Sequence, residues 1–190
     1  MNIGIIAGIV MGSSYIPYIG SILRGHTKPE RGSRIIWTAL AFLAFYSQYS
    51  AGATDSLWLT GAFVVSGVIT LLLSITHGEY GMSPRDIHIY FVVAAAIAIS
   101  IIYNNPLLSL LMIVSIDASG TYLTVRKVMV EPHSENLSSY VIGAIGAALA
   151  VTAVGEINVT LLIYPAYIVL LNILVSSIMI KKRRLVPAQW

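Results

Sequence analysis

The sequence predicts an all-α membrane protein, with seven transmembrane helices arranged 3+1+3 as two parallel three-helix-bundle repeats. Three observations predict it: an apolar composition with few charges, a one-sided distribution of basic residues, and a self-similarity at an offset of 103 residues.

Composition sets the environment. Of 190 residues, 57% are hydrophobic and 10% charged, with a mean hydropathy of +0.83. A soluble domain carries about 25% charged residues, so most of this surface is expected to face lipid. The chain has no cysteine, which removes disulfides, thiolate metal sites and cysteine nucleophiles together. The first apolar stretch lacks a basic n-region and a small-residue cleavage site. It reads as a retained first membrane helix, not as a signal peptide.

A membrane helix needs about 20 largely apolar residues. Seven segments meet that length approximately: 2–23, 35–53, 57–77, 87–103, 106–126, 139–155 and 159–180. The connections are short and leave no room for a soluble domain. Trp37, Trp58 and several tyrosines fall near helix ends, where they read as interfacial belt residues.

The charges give the orientation. Arg24, Lys28, Arg31, Arg34, Arg85, Arg126, Lys127, Lys181, Lys182, Arg183 and Arg184 all lie on one side. These are the protein's eleven basic residues, and the opposite loops hold only Asp55 and Glu156. By the positive-inside rule this is a multi-pass integral membrane protein with its N-terminus outside and its C-terminus cytoplasmic. One missed helix would scramble so clean a split.

Shifting the chain by 103 residues lays the last three segments over the first three. Pro29 meets Pro132, Trp37 meets Tyr140, Gly52 meets Gly155 and Arg24 meets Lys127. An intervening fourth helix gives both triplets the same orientation, so the repeat is parallel. The division is then 1–80 for the first repeat, 81–104 for the linker helix, and 105–190 for the second repeat with its basic tail.

Asp117 is the one acidic residue placed mid-way through a long apolar segment. A charge at that depth costs about 2.5–3.5 kcal/mol on insertion scales, and intramembrane ionisable groups mark functional sites by default. Asp117, Thr121 and Thr124 are spaced i, i+4 and i+7, on one helix face. The positions 103 residues earlier are Ser14, Tyr18 and Ser21, a second polar stripe. Asn172 lies nine residues before Lys181, and Asp117 nine before Arg126. Both are therefore roughly 14 Å from the inner charges, near the midplane, with Ser14 at a similar depth. Pro17 removes a backbone bond and kinks the first helix; its repeat mate Gly120 weakens the fifth. The candidate site is Asp117, Asn172, Ser14, Tyr18 and Thr121, with Pro17 and Gly120 as hinges.

The 3+1+3 layout, the outside N-terminus and SYIPYI followed by a basic loop resemble the PQ-loop/SWEET transporter superfamily. Pro17 stands where the family's proline–glutamine pair would begin, with Tyr18 in place of the glutamine; the second repeat offers Gly120-Thr121 instead. Asn172 is similar in placement to the family's substrate-binding asparagine, while its repeat mate is Ile69. The resemblance implies transport of a small polar solute, sugar-like or another small metabolite, by alternating access. Asp117 would then hydrogen-bond the solute or carry a proton.

Other classes leave different marks. A retinal protein needs a lysine inside its last helix, and none precedes Lys181 there. His26, His77, His88 and His133 lie at membrane edges without metal-ligand spacing, and no HExxH, GxSxG or paired intramembrane aspartate is present. No enzyme, metal or cofactor is expected. A receptor, sorting or scaffold protein on the same architecture stays open. The expected partners are a small solute and the bilayer, not nucleic acid, with assembly into a homo-oligomer left open.

Overall fold

The computed structural model describes residues 2–25, 29, 31–78, 87–130, 132–133, 135–155 and 157–185, without the side chains at 33, 89, 119, 123, 126 and 127. Lys28, Arg85, Glu156 and His26, and the side chains of Arg126 and Lys127, lie outside the described residues.

Among the described residues the fold is helical throughout and contains no strand. The helices are α1 (Ile3–Ser13), α2 (Ile16–Leu23), α3 (Arg31–Ser50), α4 (Leu57–His77), α5 (Ile87–Tyr103), α6 (Pro106–Val130), α7 (Leu137–Ala153) and α8 (Val159–Leu185). Three spans are long and apolar enough to cross a membrane: Ile3–Leu23, taken through the α1–α2 junction, Leu57–His77 and Val159–Leu185. Tyr90–Tyr103, Pro106–Tyr122 and Leu137–Ala153 are shorter apolar helices.

The first predicted helix is in fact two. Pro17 has no N–H to offer the carbonyl of Ser13, and its ring crowds the preceding turn. The chain answers by tightening: Ser14 N–H donates to Met11 O at 3.1 Å and Tyr15 N–H to Gly12 O at 3.1 Å. These three-residue closures end α1, and α2 restarts with Pro17 in its first turn, where a missing donor costs nothing. Gly120 behaves differently, since α6 runs unbroken through it.

The interior mixes an apolar core with small hydroxyl side chains. On α4 the buried side chains include Thr60, Ser66, Thr70 and Ser74, while Val65, Ile69, Leu72 and Ile75 are exposed. The hydroxyls bond carbonyls of their own helix, as Thr70 does with Gly67 O at 3.1 Å and Ser74 with Leu71 O at 2.6 Å. Hydroxyls so satisfied suit an interior, and an outward row of aliphatic side chains suits lipid.

Helix pairing is regular. α1 packs on α4 and α6 on α8; α3 packs on α4 and α7 on α8. Across the molecule α1 packs on α7 and α3 on α6, while α5 lies against α6 and α3. The α1–α7 approach is close: a Cβ on Gly146 would come within 2.8 Å of the Met11 backbone nitrogen. Gly52 and Gly155, just beyond α3 and α7, both have left-handed backbones, with φ of 86° and 76°. Glycine is the residue that adopts this conformation without a side-chain clash.

Basic side chains tie the ends. Arg31 donates to Ile75 O at 3.0 Å. Arg183 donates to Pro132 O at 2.9 Å and Glu135 O at 2.7 Å, so part of the KKRR tail is a clamp on the α6–α7 loop.

Candidate functional site

A cavity of about 210 Å³ lies at the centre of the helices. Its walls come from the α1–α2 junction and from α3, α4, α6, α7 and α8. Among the described residues, α1, α2 and α5 supply no lining residue.

Asp117 lines it from α6 and is half-buried. Tyr167 on α8 donates its phenolic proton to Asp117 Oδ2 at 2.7 Å. Thr121 then donates to the Tyr167 oxygen, 3.4 Å away. This chain of hydroxyls fixes one face of the carboxylate and leaves it on the cavity wall. Thr124, one turn further along α6, also lines the cavity, so the i, i+4, i+7 stripe faces a single space.

Asn172 is buried and reaches the cavity, but its amide is largely engaged elsewhere. Its Nδ2 donates to Ile168 O at 2.8 Å, and its Oδ1 lies 2.9 Å from where a Cβ on Gly143 would stand. It is therefore wedged between its own helix and α7. Ser14 is buried outside the lining, its hydroxyl donating to Met11 O at 2.6 Å. Tyr18 is also outside the lining and presents its ring to Arg34. Pro17 sits at the α1–α2 junction, and Gly120 faces Trp37, whose Nε1 would be 3.8 Å from a Cβ there. Asp117, Thr121 and Asn172 thus converge on one space, while Ser14 and Tyr18 border it indirectly.

Arg34 is the residue the sequence does not single out. Beside a loop full of basic residues it reads as a flanking charge. Because α3 begins at Arg31, Arg34 falls in its first turn and lines the cavity. Its guanidinium carbon lies 4.7 Å from the Tyr18 ring centre and 4.6 Å from that of Trp37. Its Nε is buried with no hydrogen-bond partner among the described residues. Arginine stacks well between aromatic rings, and such a cage leaves its remaining N–H groups for a ligand. Trp37 therefore serves the cavity wall, not only a lipid-facing belt.

The remaining wall is aromatic and aliphatic, with Leu40, Ile113, Ile168, Leu171 and Val175 beside the rings. Tyr15 and Phe63 meet edge to face at 6.3 Å, and Phe63 and Tyr164 at 6.2 Å. Tyr140, 103 residues after Trp37, lines the cavity too. Among the described residues no group of three or more His, Cys, Asp or Glu side chains is placed to hold a metal ion.

Comparison with family models, with curated proteins and with solved structures returns no match to this chain.

Proposed function

We propose that the chain is a seven-span transporter of a small polar solute, working by alternating access at the central cavity. The two repeats, 1–80 and 105–190, rock about it, and the α1–α2 junction supplies compliance in the first of them. The reading is one of a carrier and not of an enzyme. It keeps the resemblance to the PQ-loop/SWEET superfamily as a working frame for architecture.

The observation that carries this reading is the cavity itself. It brings polar side chains together at the centre of an apolar helix bundle, one of them the carboxyl of Asp117, and helices from both triplets wall it. Surface closures and packing defects do not gather a charge, hydroxyls and an aromatic wall in one place.

Two further observations support it. The helix contacts pair up: α1 with α4 corresponds to α6 with α8, α3 with α4 to α7 with α8, and α1 with α7 to α6 with α3. The left-handed glycines Gly52 and Gly155 are 103 residues apart, and so are the last residues of α3 and α7, Ser50 and Ala153. These correspondences support a parallel repeat with α5 as the connecting helix. The one-sided basic residues favour an outside N-terminus and a cytoplasmic C-terminus.

The test is uptake by full-length protein in liposomes, over sugars, amino acids and other small polar metabolites. Asp117→Asn is expected to abolish or strongly reduce the uptake that wild type supports. Normal uptake by that variant, with unchanged pH dependence, contradicts a central role for Asp117. Saturable binding without uptake would instead favour a receptor on the same architecture.

A further inference from the structure

The cavity lining holds one basic and one acidic side chain, and the two have different partners. Asp117 accepts from Tyr167, and Arg34 rests on the rings of Tyr18 and Trp37. Both line the same space. They are also close in height: Trp37, which Arg34 stacks on, faces Gly120, three residues or about 4.5 Å along α6 from Asp117.

We propose that the ligand is a small zwitterion, with its carboxylate on Arg34 and its ammonium group at Asp117. The inference names the substrate class of the transport reading and rests on that reading for its biological meaning.

The charges select against the alternatives. A neutral sugar would close the cavity over a guanidinium and a carboxylate while supplying neither with a counter-charge, which is costly once water leaves. A simple anion satisfies Arg34 and is repelled by Asp117; a simple cation suffers the reverse. A zwitterion matches both and adds no net charge to the site. The guanidinium geometry suits a carboxylate, which it binds through two parallel N–H bonds. At the other end, aromatic side chains share the lining with Asp117. Ring faces attract ammonium groups, quaternary ones included, so amino acids and betaines are both within the class. Thr121 and Thr124 offer hydroxyls along the same α6 face.

The experiment is isothermal titration calorimetry on the full chain in detergent. The probes are glycine, L-alanine, L-proline and glycine betaine, against D-glucose and L-lactate. At least one zwitterion is expected to bind saturably, at least tenfold more tightly than glucose or lactate. Glycine betaine outscoring L-alanine assigns the cation end to the rings, and the reverse order assigns it to the Asp117 carboxylate. Either order supports the proposal. Arg34→Gln is expected to weaken that binding at least tenfold at an unchanged melting temperature, and Arg34→Lys to recover part of it. If Arg34→Gln does not fold, a folded Arg34→Lys carries the test, with an affinity several-fold below wild type.

The proposal is overturned if no zwitterion binds, if glucose or lactate binds as tightly, or if folded Arg34 variants bind like wild type. Binding without uptake in liposomes would leave the ligand class standing and remove the transport reading. Uptake of glucose without zwitterion binding would do the opposite.

Discussion

The α1–α2 segment and helix α6 hold corresponding places in the packing, yet they are built differently. The first meets α4 and α7, and the second meets α8 and α3. The first is broken at Ser14–Tyr15 ahead of Pro17 and carries no acidic residue. The second is continuous over 25 residues and carries Asp117. The helix break and the acidic residue lie on opposite halves. A carboxylate recognises a ligand best when its helix is rigid and its partners, here Tyr167 and Thr121, are fixed. A hinge works best where no such geometry must be kept.

Breaking the charged half should cost most. Asp117→Asn keeps the shape and removes the charge, and hydrogen bonds to charged groups are worth about 1.5–3 kcal/mol. Uptake in liposomes should fall about tenfold or more, with the melting temperature little changed. Wild-type uptake would show that the difference between the halves has no functional content.

The second prediction concerns where the broken half is anchored. Gly146 lets α7 approach the backbone of α1 at Met11, so α1 is pinned there, and the proposed hinge motion would fall to α2. Gly146→Ala forces the helices apart and should destabilise the fold by about 1–3 kcal/mol, read as a lower melting temperature in detergent. Gly12→Ala, with nothing within 4 Å of the added Cβ, should be neutral or slightly stabilising. Equal effects would mean that α1 is not pinned.

Removing the hinge should act on rate. Pro17→Ala restores an N–H and lets α1 and α2 join. Uptake should slow several-fold while ligand affinity, measured on the same protein, stays within twofold. The smallest effect belongs to Gly120→Ala. Its Cβ meets only ordinary contact with Trp37 Nε1 at 3.8 Å, and α6 is continuous through it, so uptake should stay within about twofold. A large loss there would mean that α6 also bends.

Much of this was legible in the sequence, and the reasons are physical. Apolar length marks where helices lie, so the segment 57–77 coincides with α4 and 87–103 with α5. Among the described residues, length and composition alone single out three spans as sufficient; α3 carries arginines at its start, and α5 and α7 are 17 residues long. Asp117 was visible because a lone acid in an oily segment needs a reason. The break near Pro17 was visible because proline disturbs the turn before it.

Arg34 was not visible. Whether a basic residue near a helix start points outward or into a cavity depends on the first helical residue and on rotation about the axis. An onset at 35 would leave Arg34 in the loop; the onset at Arg31 turns it inward. Tyr167 escaped for a different reason. Its partner Asp117 is on another helix, fifty positions away, and no local spacing links them. Ser14 illustrates the opposite error of reading: its depth suggested a lining hydroxyl, but a hydroxyl can turn back to its own helix, as it does to Met11 O.

Alternating access requires this cavity to open to each side of the membrane in turn. The chain has no cysteine, so a single Thr121→Cys variant gives a labelling site on the cavity wall without background. A membrane-impermeant thiol reagent should modify it when applied from the outside and, in inverted vesicles, from the inside, at rates that Pro17→Ala lowers. Modification from one side only, or from neither, would contradict alternating access at this site.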